Sequence, residues 1–188
     1  MTLFKKSALA LSLSVGLALS CVVQAESIAI IHATVYTATE QGVLTDATVV
    51  IEDGTIVAIN PASPTADTVI DAKGAILTPG FIASMNDLGL VEIGAVASSR
   101  DAYEKEADVI FDPSLAYNPK ASTVPFARKG GITRNVVSSG GGEGIFAGQT
   151  FTVDLSGDWD SILAANTGLV VALGAKEEGS RAAGMQQL

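Results

Sequence analysis

Short apolar segments rich in β-branched residues recur between residues 28 and 77, and turn residues separate them, which is typical of β-strands. Asp53 and Gly54 lie between two of these segments, and an Asp-Gly pair favours the positive φ angles of a tight hairpin turn. A further turn is predicted over Asp71–Gly74. The predicted strands are Ile28–Thr37, Val49–Glu52, Thr55–Ile59, Thr68–Ile70 and Ala75–Leu77.

After residue 83 the pattern changes, and it predicts both helices and strands. Asn118 as N-cap and Pro119 as first helical residue predict a helix that runs to about Lys129 and ends at the two following glycines. Pro125 is expected to kink or shorten this helix. The other predicted elements are strands at Ile132–Val137, Gln149–Leu155 and Gly168–Leu173, and a short helical pattern over 181–188 with Ser180 as its N-cap.

The first 25 residues have the three parts of a secretory signal peptide. Lys5 and Lys6 form a positively charged n-region, residues 8–20 form an apolar run, and Val23-Gln24-Ala25 provides small residues at a cleavage site. We therefore predict cleavage after Ala25 and a periplasmic or secreted protein, with an uncleaved anchor as the alternative. Cleavage would remove Cys21, the single cysteine, so the mature chain would have neither a disulfide nor thiol chemistry.

The charge of the chain disfavours two classes of partner. Cleavage would remove two lysines and no acidic residue, which takes the formal net charge from −9 to −11. No basic patch or stripe is visible in the sequence, so neither a nucleic acid nor an anionic membrane is expected as a partner once the signal is removed.

One run of residues, Thr78-Pro79-Gly80-Phe81-Ile82-Ala83-Ser84-Met85-Asn86-Asp87, resembles the signature of the amidohydrolase superfamily. In that family a strand reading PGFID is followed at once by His-x-His. The resemblance extends from Ile30 to Ile82, through I-x-x-A-x-V, the G-x-I hairpin and D-x-x-G-x-x-x-x-P-G-F-I. Gly131-Ile132-Thr133 also resembles the G-V-T that opens the second barrel strand in the family.

The resemblance implies an α/β fold in which a small composite β-sandwich domain, residues 26–78, precedes the first part of a TIM-like (β/α)8 barrel, residues 79–188. A complete barrel needs about 250 residues, so the barrel would be incomplete in this chain. The implied activity is that of imidazolonepropionase-like, metal-dependent hydrolases of carbon–nitrogen bonds other than peptide bonds. Small amides or cyclic amides would be the substrates, and active members would hold zinc or another divalent metal.

Both histidines of the signature are missing here, because Met85 and Asp87 occupy their positions. On a strand, residues two apart share a face, so two histidines could grip one cation. A thioether is poorly suited to zinc or harder cations, and of the two residues only Asp87 could ligate a metal. We therefore expect no metal or other cofactor in this chain by itself.

Three hypotheses are compatible with these residues. The chain could be part of a hydrolase whose barrel a downstream polypeptide completes, or a catalytically dead relative that serves as a periplasmic binding or structural module. The third is a β-rich domain that stands alone. The candidates for a catalytic role in this chain are Glu92 and Glu143, and both are weak.

Two further features are given structural interpretations. His32, the single histidine, lies in a predicted strand and is interpreted as a satisfied strand residue. Gly142-x-Gly144-x-x-Ala147 formally fits a dinucleotide fingerprint, but a β-pattern comes next where that fingerprint needs a helix. A glycine-rich loop that contacts substrate is the preferred interpretation of residues 140–144, and a flexible turn is the alternative.

Overall fold

The computed structural model of the protein describes residues 26–173, 181–186 and 188. The predicted signal peptide, residues 1–25, and the predicted N-cap Ser180 lie outside the described residues. The chain divides into two compact units, one ending at Pro79 and the other beginning at Gly80. No helix in the part of the chain that the structure describes is long and apolar enough to cross a bilayer.

The first unit contains a five-stranded mixed sheet with the order β3-β2-β1-β4, in which β5 also pairs with β1. Its strands are β1 (Ser27–Tyr36), β2 (Val43–Glu52), β3 (Thr55–Ile59), β4 (Thr68–Asp71) and β5 (Ile76–Leu77). β2 is antiparallel to both β1 and β3, whereas β4 and β5 run parallel to β1. The hairpin prediction is confirmed, because Asp53 and Gly54 have φ angles of 48° and 72° between β2 and β3.

The core of the first unit is a cluster of small aliphatic side chains on β1 and β2. Ala33, Val35, Ala47 and Val49 are buried there, with partly buried aliphatic side chains around them. Val35 and Val49 of this cluster also line an open apolar groove of about 690 Å³, to which Ile56 on β3 contributes. The described part of this unit is therefore one mixed sheet, and the two packed layers of the predicted sandwich are not found in it.

The second unit contains a four-stranded mixed sheet with the order β6-β7-β8-β9. The strands are β6 (Phe81–Asn86), β7 (Ile132–Ser138), β8 (Phe146–Asp154) and β9 (Ile162–Val171). β6 and β7 are parallel, and the other two pairs are antiparallel. Two α-helices, α1 (Thr123–Lys129) and α2 (Arg181–Gln186), and two 3-10 turns, Ala97–Ser99 and Pro113–Ala116, complete the described elements.

The predicted fold class is wrong, because the described residues form two mixed sheets and no part of a (β/α)8 barrel. Only residues 139–145 separate β7 from β8. A crossover between parallel strands needs about a dozen residues or more, so this short connection makes β8 return antiparallel to β7. The connection from β8 to β9 is just as short, with the same result. Within the described sheet of the second unit, only the long segment between β6 and β7 connects a parallel pair of strands.

Helix α1 begins later than predicted, at Thr123 instead of Pro119. The Oδ1 atom of Asn118 accepts the N–H of Lys120 at 2.9 Å, so this side chain closes a local turn instead of capping the helix. Pro125 lies in the first turn, where helical N–H groups have no intrahelical acceptor, and it is therefore tolerated. The predicted end is confirmed, because Gly131 adopts a φ of 88° directly after Gly130.

The core of the second unit is formed where the β6–β7 connection and α1 pack on one face of the sheet. Phe151 on β8 is fully buried and meets the ring of Tyr117 edge-to-face, with 5.5 Å between centroids. This connection also buries Leu90, Ala102 and Val124 in the same cluster. The long segment before β7 is therefore held in place by several buried side chains.

Candidate functional site

The carboxyl ends of β6 and β7 lie at the same edge of the second sheet, because these two strands are parallel. Residues that directly follow the two strands are therefore neighbours in space. Asp87 follows β6, and the glycine-rich loop of residues 140–144 follows β7 after Ser139. Both features singled out in the sequence belong to this edge.

Met85 interrupts the alternation of side chains between the two faces of β6. Ser84 and Asn86 pair with the consecutive residues Val136 and Val137 of β7, which leaves Met85 as an extra, bulged residue. Met85 has a φ of 57°, and its side chain is 68% exposed. The expectation that residues 85 and 87 share a face depended on an unbroken strand, and the bulge removes that condition.

Asn86, the residue between those two positions, pairs with Asn135 on β7. The Nδ2 atom of each residue donates to the Oδ1 atom of the other, and both distances are 2.8 Å. Asn135 is completely buried, and the Oδ1 of Asn86 also accepts the N–H of Leu88 at 3.1 Å. A closed pair of amides therefore joins the two parallel strands at the edge where the family signature would have its metal ligands.

Asp87 is engaged with the segment that comes after it. The hydroxyl of Tyr103 donates to Oδ2 of Asp87 at 3.1 Å. This hydrogen bond, together with the negative charge of Asp87, raises the pKa of Tyr103 above its ordinary value of 10.0. Asp87 is half-buried, and its carboxylate holds the tyrosine ring beside the end of β6 through this hydrogen bond.

The side chains at this edge do not fit a divalent metal. Asp87 accepts from Tyr103, the two asparagine amides bind each other, and Met85 offers only an exposed thioether. No group of three or more His, Cys, Asp or Glu side chains that could hold a metal ion occurs within residues 26–173, 181–186 and 188. We therefore assign no metal-dependent step to the residues that the structure describes.

The glycine-rich loop is bound to the main chain of the β6–β7 connection. Gly140 donates to the carbonyl of Ala102 at 3.0 Å, Gly142 donates to Glu104 at 2.7 Å, and Glu143 donates to Lys105 at 2.8 Å. A Cβ atom on Gly141 would lie 2.4 Å from the carbonyl oxygen of Glu104. Glycine is thus required because two main chains approach closely, a role that sequence reasoning missed.

A nucleotide site at this loop is disfavoured by the element directly after it. The loop leads into strand β8 at Phe146, whereas the dinucleotide fingerprint needs a helix whose N-terminus faces the pyrophosphate. The alternative of a flexible turn also disagrees with the three main-chain hydrogen bonds of the loop. Contact between this loop and a substrate stays a prediction.

The two carboxylates singled out in the sequence lie in different places. Glu92 is exposed, accepts a hydrogen bond from Nδ2 of Asn118 and lines a small depression of about 240 Å³. Glu143 is exposed and lines a separate pocket of about 650 Å³. The two carboxylates therefore line different pockets, and neither of these two pockets brings them together as an acid–base pair.

His32 lies in the first unit, at a bulge of β1, with a φ of 54°. Its Nδ1 atom lies 3.1 Å from Oδ1 of Asp71. The N–H of Lys73 and the bond to His32 lower the pKa of Asp71 below its ordinary value. The interpretation of His32 as a satisfied strand residue is confirmed.

The 650 Å³ pocket contains functional groups that the sequence did not single out. Arg100, Tyr103, Glu104 and Lys105 line it from the β6–β7 connection, and Glu143 lines it from the glycine-rich loop. These four residues of the connection lie in an irregular segment, without a periodic pattern or motif to mark them. Only their position after a strand of the parallel pair could have indicated a site.

We expect the D87N variant to lower the pKa of Tyr103 towards its ordinary value, since the variant removes the charge that disfavours the phenolate. The raised pKa of Tyr103 stabilises the fold below the ordinary tyrosine pKa, about 10. That contribution is lost as the pH rises through the folded-state pKa. Titration of the tyrosine Cζ resonances by NMR measures this pKa, and urea denaturation at pH values on either side of it measures the change in stability. Tyr117, whose pKa is raised mainly by burial, is the internal control and should titrate alike in both proteins.

Comparison with known proteins gives structural matches only. No protein-family model and no curated protein matches the sequence. The structure is similar to that of an amidohydrolase from Thermotoga maritima MSB8, with a TM-score of 0.62 and 25% sequence identity. The match covers 76% of this chain and 38% of that protein, so this chain spans well under half of its length.

A second solved amidohydrolase matches at 24% identity with a TM-score of 0.31, and the match covers 35% of this chain and 16% of that one. This similarity is too low to support an argument. The first match is sufficient for a coarse statement: the chain has a hydrolase-like fold similar to part of an amidohydrolase.

Proposed function

We propose that this protein is an imidazolonepropionase-like member of the amidohydrolases, related to enzymes that hydrolyse carbon–nitrogen bonds other than peptide bonds. The observation that carries the proposal is the similarity to the Thermotoga maritima amidohydrolase over 76% of the chain. The run Thr78–Asp87, which resembles the family signature, supports it independently. A location in the periplasm or outside the cell is part of the proposal, on the basis of the signal-like first 25 residues.

We further propose that this chain alone does not hydrolyse such bonds. Amide hydrolysis needs a nucleophile that a nearby group activates and a group that stabilises the developing charge. At the edge where such groups would lie, Asp87 accepts from Tyr103, and Asn86 and Asn135 bind each other. Active members would bind zinc or another divalent metal, which the side chains at this edge do not suit. Downstream sequence or a second polypeptide would have to supply the missing residues.

The proposal is tested with the purified chain, to which Zn²⁺ or Mn²⁺ is added. Metal content after gel filtration and hydrolysis of a panel of cyclic amides are measured together. We expect no stoichiometric metal and no turnover above that of the metal salt in buffer. The variant M85H/D87H serves as a comparison, and it should also fail to retain metal, because the bulge at Met85 breaks the alternation that His-x-His requires.

Two results would contradict the proposal. Near-stoichiometric zinc in the wild-type chain, together with turnover of a cyclic amide, would overturn the claim that this chain is inactive. Tight zinc binding by the double histidine variant alone would show that the bulge does not prevent ligation, and that only the two side chains are missing.

The second candidate function is that of a catalytically inactive binding module. The 650 Å³ pocket beside the parallel strand ends favours it, because pockets of about 300–1,000 Å³ are the usual size for small ligands. Isothermal titration of the chain against small amides, cyclic amides included, tests this candidate. Saturable binding without turnover would support the binding module over the hydrolase.

A further inference from the structure

We propose that the pocket between residues 97–105 and the glycine-rich loop binds a small zwitterion, a molecule of amino-acid size with one carboxylate and one ammonium group. This inference does not require hydrolysis, and it rests on the second candidate function, because it names the class of ligand for the same pocket. The pocket lies entirely within the second unit and has a volume of about 650 Å³. Its charged side chains are Arg100, Glu104, Lys105 and Glu143.

The frame of this pocket is preformed. Three main-chain hydrogen bonds join the glycine-rich loop to residues 102–105, at 2.7–3.0 Å. Ala102 and Ala107 are buried on either side of Glu104 and Lys105, and Ala102 belongs to the core of the second unit. Arg100 forms a β-bridge with Val91, which fixes the other end of the wall. A ligand would therefore meet the two walls already in position, at a low entropic cost.

The charges in the pocket do not neutralise one another. Within the described residues, no ion pair within 4.0 Å involves Arg100, Lys105, Glu104 or Glu143. Glu104 is turned to its own main chain, since its Oε1 accepts the N–H of Glu106 at 3.1 Å. The hydroxyl of Tyr103 is engaged with Asp87. Two cations and the carboxylate of Glu143 are thus left to interact with a ligand.

The two signs of charge decide the class of ligand. The guanidinium of Arg100 presents a planar fork that matches a carboxylate, and Lys105 adds a second positive charge. Glu143 can accept from an ammonium group. A simple anion would be repelled by the glutamates, and a simple cation by Arg100 and Lys105. A zwitterion satisfies both sides at once, which favours it over either singly charged molecule.

The test compares three probes: leucine, N-acetyl-leucine, which lacks the ammonium group, and leucinamide, which lacks the carboxylate. Each is titrated into the ¹⁵N-labelled chain, and the backbone amide resonances are followed by NMR. We expect saturable shifts at residues 100–105 and 140–144 with leucine. Each of the other two probes should bind about tenfold more weakly or worse, which corresponds to about 1.4 kcal/mol.

Two variants assign the contacts. R100Q should abolish the preference for leucine over leucinamide, and E143Q should abolish the preference for leucine over N-acetyl-leucine. R134Q and E52Q are the matched controls, because neither residue lines this pocket, and both should retain the wild-type preferences. The same spectra show whether each variant is folded.

Three outcomes would overturn the inference: no saturable shifts with leucine, equal affinity for all three probes, or unchanged preferences in both R100Q and E143Q. The hydrolysis assay on cyclic amides is independent of this titration. A failure of the zwitterion site is therefore distinguishable from a failure of the proposed hydrolase relationship.

Discussion

Alanine at position 142 is expected to destabilise the chain by about 2–5 kcal/mol, which combines left-handed backbone strain with overpacking. Gly142 has a φ of 94°, and a Cβ atom there would lie 2.5 Å from the carbonyl oxygen of Phe146 and 3.1 Å from that of Ala107. Both obstacles are main-chain atoms, which cannot rotate away as a flexible side chain could. Urea denaturation followed by circular dichroism measures the loss in the free energy of unfolding.

Gly144, two residues further on, provides the matched control. It does not have a positive φ, and a Cβ atom there would meet nothing within 4 Å. We expect G144A to stay within about 0.5 kcal/mol of the wild type, as surface substitutions usually do. Similar losses in G142A and G144A would mean that the close approach of the two main chains does not determine stability here.

Leucine at position 135 is the second change with a large expected effect, a loss of about 2–3 kcal/mol. Asn135 is fully buried, and the variant would leave the amide of Asn86 without the partner that it binds twice at 2.8 Å. An unsatisfied polar group in the interior costs more than the net value of the hydrogen bond that satisfied it. Urea denaturation of N135L measures this loss.

A double-mutant cycle separates the amide pair from the packing around it. If the two asparagines act as a unit, the loss in the free energy of unfolding of N86L/N135L should be smaller than the sum of the losses of the two single variants, by about 1–2 kcal/mol. Additive losses would mean that each asparagine is stabilised by its other contacts, such as the bond from the N–H of Leu88 to Asn86.

The first unit could be predicted largely from local sequence. The turn at Asp53-Gly54 is expected from two residues that tolerate positive φ, and the observed angles of 48° and 72° agree with it. Strand β3 has the predicted ends, Thr55 and Ile59, because apolar residues and turn signals delimit it. Such features depend on residues close together in the chain, which is why a single sequence is sufficient to predict them.

The arrangement of the second unit could not be obtained in the same way. The apolar patterns of β7 and β8 predict two strands, but the direction of β8 depends on the length of the connection before it. The family resemblance implied parallel strands, whereas residues 139–145 are too few for a parallel crossover. The predicted strands left eleven residues, 138–148, between them, so the short connection became evident only from the structure, in which β8 begins at Phe146.

The candidate site could be predicted in position but not in detail. The run ending at Asp87 pointed to the correct end of β6, but the bulge at Met85 has no local signal, because methionine rarely adopts a φ of 57°. The partner of Asn86 is Asn135, 49 residues away, and no pattern connects the two in the sequence. Arg100 and Lys105 likewise acquire their significance only from the path of the long connection.

The hydrogen bonds between the glycine-rich loop and residues 102–105 use only peptide N–H and C=O groups. Every amino acid except proline provides both groups, so the attachment is indifferent to the side chains at positions 103–106. Substitutions there could exchange one recognised molecule for another while the walls keep their spacing. Glycine is required instead on the other side of this attachment, at Gly141 and Gly142, where a Cβ atom would collide with main-chain atoms.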